Sequence, residues 1–447
     1  MKPTEVLADF LFRTTLEDIP PEACQKSKRA ILDVIAAAFA GIPHPVGKTM
    51  LALVKEMGGN PAATILGDGH RTSPPWAAYA NGTLAHAIDY DDVNASIGGH
   101  PTAPVVPALL AMGEKVGASG KDLLLGYILG VETECKLGRA INRVHYNLGW
   151  HPTATLGTFG AAAACGKLLR LDKDQVIMSL GIAGSQASAL KQNFGTMTKP
   201  LHVGQAAKNG VLAALLASRG WTADREILEG HFGFCNLFAA PGKYDLKDMT
   251  ENLGRPFDVV EPGIELKKYP CCGSTHPTLD ALLRLKGEQP FRAEEVESVE
   301  LKIHPERIHV LVHPDPQTGL EGKFSVEYCI AAAVLRGRVS IEDFSEDRIK
   351  APEIRAFLPR VRVIRDPDRD SYSITLRIGL RGGRVLTAEG KRSEGITSWE
   401  ELRAKYQDCL GTVLPKEKVG RSFQIIQELE NLKDISELVA NLVAERS

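Results

Sequence analysis

The feature that most constrains the fold is a run of very small residues at positions 155–167. Glycine and alanine fill most of this run, with Gly157, Gly160 and Gly166 spaced along it. A helix with so little side-chain bulk lets neighbouring helices approach closely, so the run predicts the centre of a compact helical domain. The chain up to about Phe238 has the same Ala-, Leu- and Gly-rich helical pattern, including a second buried helix at 204–217.

The pattern changes after about Gly263. Helical patterns at 278–286 and 325–335 are now separated by strand-like stretches. In these stretches polar and apolar residues alternate, as they do in half-buried strands. The predicted strands are 296–303, 361–365, 373–378 and 384–388, the last two forming a hairpin. This region therefore predicts a smaller α+β domain. From Trp399 the pattern is helical again, and we expect these C-terminal helices to pack back on the first domain.

Composition and charge argue against several classes of partner. The formal net charge is −2, which gives no electrostatic case for nucleic acid or an anionic membrane surface. The amphipathic N-terminus lacks the features of a signal peptide, and no apolar run reaches the roughly 20 residues of a membrane span. Eight cysteines without a CxxC pair are typical of reduced thiols, so we expect a cytoplasmic protein.

Two segments approach a phosphate-binding loop without matching it. Between Gly41 and Gly47, and again between Gly160 and Gly166, five residues separate the glycines where the loop requires about four. The chain also has no dinucleotide-binding glycine motif after a strand, no HExxH motif and no GxSxG elbow. The sequence therefore gives no support to a nucleotide cofactor, a zinc site or serine-hydrolase chemistry.

Acidic residues and histidines are unusually dense between two apolar helical segments. His86, Asp89, Asp91, Asp92 and His100 fall within fifteen positions of one another. Uncompensated charge is costly to bury, so these groups predict a polar cavity in which protons move. A solvated loop between helices is the alternative that the pattern leaves open.

Several segments, taken together, resemble one family. Their order and spacing are similar to those of the MmgE/PrpD family, which includes 2-methylcitrate dehydratase, cis-aconitate decarboxylase and iminodisuccinate epimerase. The segments are 86–92, 100–102, 149–153, 195–202, 267–272 with His276, and 321–325.

The resemblance implies a mainly α fold in two parts. The first is a large all-helical domain built from residues 1–264 and 398–447, and the second is a smaller α+β lid domain over 265–397. It also implies a homodimer and a reaction that requires no metal or organic cofactor.

By the same resemblance, the active-site positions of the family lie at the cleft between the two domains. They fall on Asp89, His100, His151, Lys199 and Lys267. One departure is Val93, where the decarboxylase of the family has a threonine. The spacing from Asp89 to His100 is also one residue longer than in that enzyme.

Substrates of the family carry two or three carboxylates, and a carbon beside one of them gains or loses a proton or a carboxyl group. The negative charge that develops on this carbon needs cations close by. We therefore expect Lys199 and Lys267 to hold the substrate from opposite walls of the cleft. Taken alone, a lysine is more often a solvated surface charge, and it is the resemblance that favours a role in binding.

His100, Asp89 and His151 are the candidate catalytic residues. We expect His100 to transfer the proton, because imidazole titrates near the working pH. Asp89 would orient a histidine or tune its pKa, and His151, at the start of the small-residue helix, would bind a substrate carboxylate. The structural alternatives are a turn residue for His100, a bond to a helix N-terminus for Asp89 and a satisfied core histidine for His151.

Further substrate-binding candidates lie nearby in the sequence: Gln192, His202, Tyr269 and His276. Cys271 or Cys272 could act as an acid or base, although a small buried apolar role is the ordinary alternative. Asp91 and Asp92 are typical of residues that cap a helix or join a hydrogen-bond network.

The leading hypothesis is a cofactor-independent lyase. It would remove water or carbon dioxide from a small di- or tricarboxylate through a carbanion-like intermediate. An epimerase that exchanges an α-proton on a dicarboxylate is one alternative, and a non-catalytic dimeric scaffold is another.

Overall fold

A computed structural model describes residues 1–141 and 143–444 of the chain. Helices account for 59% of the residues and strands for 9%, so the fold is mainly α, as predicted. The helices up to residue 251 are α1 (Pro3–Arg13), α2 (Pro21–Gly41), α3 (Pro45–Met57), α4 (Pro74–His86), α5 (Thr102–Val116), α6 (Gly120–Ile141), α7 (Val144–Asn147), α8 (Pro152–Leu168), α9 (Lys173–Gln186), α10 (Thr198–Ala217), α11 (Phe234–Ala239) and α12 (Leu246–Glu251). Those that follow are α13 (His276–Glu288), α14 (Pro305–Ile308), α15 (Gly319–Gly322), α16 (Val326–Arg336), α17 (Glu346–Ile349), α18 (Pro352–Phe357), α19 (Trp399–Leu410), α20 (Lys416–Gln427) and α21 (Ser436–Ala440).

The small-residue run forms α8, which is buried along almost its whole length. A Cβ atom added to Gly160 would lie 3.0 Å from the carbonyl oxygen of Gly130 on α6. One added to Gly210 on α10 would lie 2.4 Å from the Cβ of Ala161. Two neighbouring helices therefore approach the backbone of α8 at distances that only glycine permits, and the predicted close packing is confirmed.

The chain before residue 264 is not entirely helical, which corrects the prediction of an all-helical domain. A small antiparallel hairpin pairs β1 (Ala63–Thr64) with β2 (Arg71–Thr72). Gly67 and Gly69 both adopt a φ of 75° and so turn the chain between the two strands. The side chain of Asn81 on α4 bonds to the backbone of this turn as donor and as acceptor. Strands of two residues are too short to leave an alternating pattern in the sequence.

A four-stranded sheet forms in the second part of the chain, in the order β4–β3–β5–β6. Its strands are β3 (Val296–Ile303), β4 (Val361–Arg365), β5 (Ile374–Leu380) and β6 (Val385–Gly390). β3 runs parallel to β4 and antiparallel to β5, while β5 and β6 form a hairpin. Gly382 and Gly383, with φ of 84° and 83°, make its turn. Helices α13 and α16 flank these strands in the sequence, so the predicted strands, hairpin and helices are confirmed.

Buried apolar side chains form two large clusters. One draws on residues between 7 and 266 and between 396 and 442, and the other on residues between 271 and 388. Helix α19 packs against α2, where the Nζ of Lys405 lies 2.6 Å from the Oδ1 of Asp33 and both side chains are buried. The C-terminal helices therefore return to the first part of the chain, as expected.

Across the described residues, no single helix has both the length and the apolar character needed to cross a membrane. Helices α2 and α3 meet that test only as a pair, and they bend by 87° where they join.

The packing of α10 against α8 makes one prediction. Gly210→Ala places a Cβ against Ala161, so we expect it to lower the free energy of unfolding by about 1–3 kcal/mol, the usual cost of overpacking a core. Gly287→Ala, at an exposed position of α13 with open space around the new atom, is the matched control. It should leave the stability unchanged or raise it by up to about 1 kcal/mol. Urea unfolding measures both variants, and a Gly210→Ala protein as stable as the parent would contradict the packing described.

Candidate active site

A cavity of about 300 Å³ lies against the loop that joins α4 to α5. Four residues singled out from the sequence line it: Asp89, His100, His151 and Lys199. Residues from the second part of the chain complete the lining, among them Cys272, Arg307, Tyr372 and Arg392. The acidic and histidine-rich segment is largely buried and borders a cavity, rather than forming a solvated loop.

The loop between α4 and α5 fixes the acidic residues in place. Helix α4 ends at His86, and Asp89 then takes a φ of 56°, a left-handed conformation that is uncommon for a residue with a side chain. Asp92 accepts hydrogen bonds from the backbone N–H and the hydroxyl of Thr102, the first residue of α5. This bond anchors the far end of the loop, and the predicted capping role of Asp92 is confirmed.

Asp89 is buried between two lysine ammonium groups. Its Oδ1 lies 2.6 Å from the Nζ of Lys199, and its Oδ2 lies 3.1 Å from the Nζ of Lys267. Lys267 also donates to the backbone carbonyl of Asp89 at 2.7 Å. Both lysines are almost completely buried, and a buried ammonium group needs a counter-charge. The two lysines therefore converge on one carboxylate instead of facing each other across the cavity.

His86 connects this ion pair to a second carboxylate. The Nε2 of His86 lies 2.6 Å from the Nζ of Lys199, and its Nδ1 lies 2.8 Å from a carboxylate oxygen of Asp91. Lysine can only donate, so Nε2 accepts and Nδ1 carries the proton that is donated to Asp91. Burial lowers the pKa of His86 to about 3, and its ring is therefore neutral.

His100 lies between the two carboxylates and borders the cavity. Its Nδ1 is 3.2 Å from Asp91 and its Nε2 is 3.6 Å from Asp89. The backbone N–H of His100 donates to the hydroxyl of Thr153 in α8, which ties this residue to the central helix. A histidine ring at the border of a cavity is placed to exchange a proton with a bound molecule, as a general base requires.

The ion pairs determine which groups carry charge. Burial alone would raise the pKa of Asp89, but Lys199 and Lys267 outweigh burial and lower that pKa well below its ordinary value. Burial likewise opposes ionisation of Asp91, and the neighbouring His86 and His100 reverse that effect, so its pKa is also lowered. Burial would lower the pKa of Lys267, whereas the two carboxylates raise it. The centre therefore holds two carboxylates and two ammonium groups, whose charges cancel.

His151 lines the cavity next to this centre. Its Nδ1 lies 3.2 Å from the Nδ1 of His202, and its ring packs edge-on against Phe194. Its backbone N–H is already bonded to the carbonyl of Ala189. Burial and the charge of Lys199 lower the pKa of His151 well below its ordinary value, so the ring is neutral and offers a hydrogen bond rather than a charge.

The remaining candidates lie away from the cavity lining. The Gln192 side chain is exposed, and the Tyr269 hydroxyl donates to Asp280 at 2.9 Å. His276 is buried beside Tyr269, with its Nε2 3.3 Å from the carbonyl of Cys271. A role for these three residues or for His202 and Lys267 in substrate binding stays a prediction. Of the two adjacent cysteines only Cys272 borders the cavity.

Four residues of the acidic segment could be mistaken for a metal centre. His86, Asp89, Asp91 and His100 offer ligand atoms within 4.8 Å of one another. The Lys199 ammonium, however, already contacts both His86 and Asp89 at 2.6 Å. A divalent cation would stand beside a charge of its own sign, so the residues present do not fit a metal ion.

Sequence reasoning did not assign roles to His86, Tyr146 or Arg307. His86 is the first residue of the acidic segment, and this position could have marked it as a candidate site residue. Tyr146 and Arg307 line the cavity from α7 and α14, two helices of four residues each, and no motif surrounds them. Asp91 was expected to cap a helix or join a hydrogen-bond network, and its hydrogen bond to His86 confirms the network.

Comparison with known proteins places the chain in a family. It matches the MmgE/PrpD N-terminal domain over residues 5–247 and the MmgE/PrpD C-terminal domain over residues 269–431. The chain therefore belongs to the MmgE/PrpD family, as its motifs indicated.

Individual relatives resemble the chain over most of its length. The cis-aconitate decarboxylase of Mus musculus is 28% identical over 97% of this chain and 92% of its own. The cis-aconitate decarboxylase of Aspergillus terreus is 28% identical over 98% of this chain and 95% of its own. The 2-methylcitrate dehydratase of Cupriavidus necator is 22% identical over 88% of each chain.

The neutral state of His86 makes stability depend on pH. The unfolded chain protonates this ring near pH 6.5, whereas the folded protein does so only near pH 3, so the contribution of His86 to stability falls as pH drops below 6.5. When the pH falls from 6.5 to 5, the free energy of unfolding of the parent should therefore drop by about 1.5 kcal/mol more than that of His86→Gln. We expect this difference even though the variant is less stable at pH 7. Urea unfolding at both pH values measures this. Parallel pH dependences of the two proteins would contradict the assignment.

Proposed function

We propose that this chain is a lyase that removes carbon dioxide or water from a small tricarboxylate without a cofactor. The observation that carries the proposal is the position of His100, which borders the cavity and contacts two carboxylates. The relatives named above support it, because decarboxylation and dehydration beside a carboxylate develop the same negative charge on carbon. An epimerase or a scaffold is not favoured by any of these relatives.

In this proposal His100 transfers the proton at the reacting carbon. Its Nδ1 faces Asp91, whose carboxylate stabilises the imidazolium that forms when His100 takes up a proton. Its Nε2 lies 3.6 Å from Asp89, beyond a good hydrogen bond, so this nitrogen can turn to a substrate in the cavity. Asp91 in turn is held by the Nδ1–H of His86, which fixes its orientation.

Lys199 stabilises the negative charge that develops on the substrate. An ammonium group has three N–H donors, and two of those of Lys199 go to His86 and Asp89. The third is available to a substrate carboxylate, because Lys199 lines the cavity. Lys267 is not part of the lining, and we assign it a positioning role through Asp89. His151 supplies a neutral hydrogen bond from the neighbouring wall.

The proposal extends to the organisation of the protein. We propose the division into residues 1–264 with 398–447 and a lid over 265–397, because the first apolar cluster stops at Leu266 and resumes at Ile396, close to both boundaries, and the second cluster lies between them. A homodimer in the cytoplasm remains the expected state. The lid would close over the cavity and exclude water from the reaction, which strengthens the contacts of Lys199.

Proton NMR in D₂O tests the reaction, with cis-aconitate, citrate, 2-methylcitrate and iminodisuccinate as substrates. We expect loss of carbon dioxide or water from one tricarboxylate, and at least a 100-fold lower kcat in His100→Gln, because a general acid–base group contributes about 10²–10⁴-fold. His231→Gln, which changes an exposed histidine, is the control and should keep parental activity.

Two results would contradict the proposal. Deuterium that enters an α-position of a dicarboxylate without elimination would identify an epimerase instead. Parental activity in His100→Gln would remove His100 from the reaction.

A further inference from the structure

The lysines nearest the reacting groups are already paired with carboxylates, so they can compensate only part of the charge of a polyanionic substrate. Asp89 takes both Lys199 and Lys267 as partners, and Asp91 balances the remaining charge of the pair. A tricarboxylate brings three negative charges into a cavity of about 300 Å³. Such a substrate needs a cation that the protein has not already neutralised.

Arg307 is such a cation. It lies on α14 and lines the cavity, and within the described part of the chain no carboxylate comes within ion-pair distance of it. Its neighbour in sequence, Glu306, also lines the cavity, but its side chain is exposed and makes no ion pair with Arg307. By contrast Arg392, which also lines the cavity, lies 3.4 Å from Glu265, and Arg143 is exposed to solvent.

The guanidinium of Arg307 is held in a fixed plane. Its Nε donates to the carbonyl of Ser371 at 2.9 Å, and the group stacks 4.1 Å above the ring of Tyr372. These two contacts use the Nε–H and one face of the guanidinium. They leave its terminal nitrogens, Nη1 and Nη2, for another partner. A planar guanidinium with two parallel N–H groups matches the geometry of a carboxylate.

Tyr146 provides a second donor at the same place. It lines the cavity from α7, and no hydrogen bond to its hydroxyl is present among the residues that the structure describes. Burial raises the pKa of this phenol above its ordinary value, and the nearby charge of Arg307 only partly opposes the rise. The hydroxyl therefore stays protonated and can donate to an anion.

We infer that Arg307, with the hydroxyl of Tyr146, binds the substrate carboxylate that lies farthest from the reacting carbon. The inference rests on the proposed function and adds a basis for substrate specificity. Arg307 would let the site distinguish a tricarboxylate from a dicarboxylate that lacks only the distal carboxylate. His100 and Lys199 act on the reacting carbon, while Arg307 holds the distal end from the other wall.

Calorimetric titration with two unreactive ligands tests this. Propane-1,2,3-tricarboxylate and 2-methylsuccinate differ in one carboxylate, which the second replaces by hydrogen. We expect Arg307→Gln to weaken binding of the tricarboxylate at least tenfold and that of the dicarboxylate less than threefold. Arg307→Lys, which keeps the charge and loses the paired donors, should fall between Arg307→Gln and the parent. Arg362→Gln, an exposed arginine on β4, is the matched control and should bind both ligands as the parent does.

The outcomes separate the two proposals. If the parent binds the tricarboxylate and Arg307→Gln binds it equally well, or if both ligands weaken by the same factor, Arg307 is not the distal site and the proposed lyase stands. If the parent binds neither ligand and turns over no compound of the NMR panel, the proposed function fails, and the assignment of Arg307 fails with it.

Discussion

The ion pair of Asp89 with Lys199 and Lys267 is the interaction on which the centre depends. Both lysines are almost completely buried, and an unpaired ion in such a position costs several kcal/mol. One carboxylate contacts both ammonium groups, and it does so from a left-handed turn that places its two oxygens between them. The lysines in turn keep Asp89 ionised, and Asp89 raises the pKa of Lys267.

This charge balance explains how so many ionisable groups can be buried together. His86 is neutral and lies between Lys199 and Asp91, in contact with both, while His100 borders the cavity. The glycine-rich packing of α8 against its neighbours supplies the rigid support, because Thr153 in its first turn fixes the backbone of His100. The inferred role of Arg307 follows from the same balance, since the paired lysines leave the substrate's remaining charge unmatched.

Local patterns predicted the elements, and they failed where structure depends on distant residues. The strand 296–303 and the small-residue helix α8 follow from side-chain periodicity and bulk over a few turns, so the sequence alone sufficed for both. The loop 86–100 was recognisable because its charges lie close together in the chain. The convergence of the lysines on Asp89 was not, because Lys199 and Lys267 lie 110 and 178 positions away from it. The sequence around a lysine does not show whether its ammonium group binds a substrate or forms an ion pair with an aspartate.

A double-mutant cycle on Asp89 and Lys267 tests the central interaction most directly. Urea unfolding of Asp89→Asn, Lys267→Met and the double variant gives the coupling free energy between the two side chains. Each single change leaves a buried charge without its partner and should cost about 3–5 kcal/mol, whereas the double variant removes both charges together. We predict that the double variant loses at least about 2 kcal/mol less than the sum of the single losses. Additive losses would show that the two groups do not depend on each other, and would contradict the mutual stabilisation of charge at this centre.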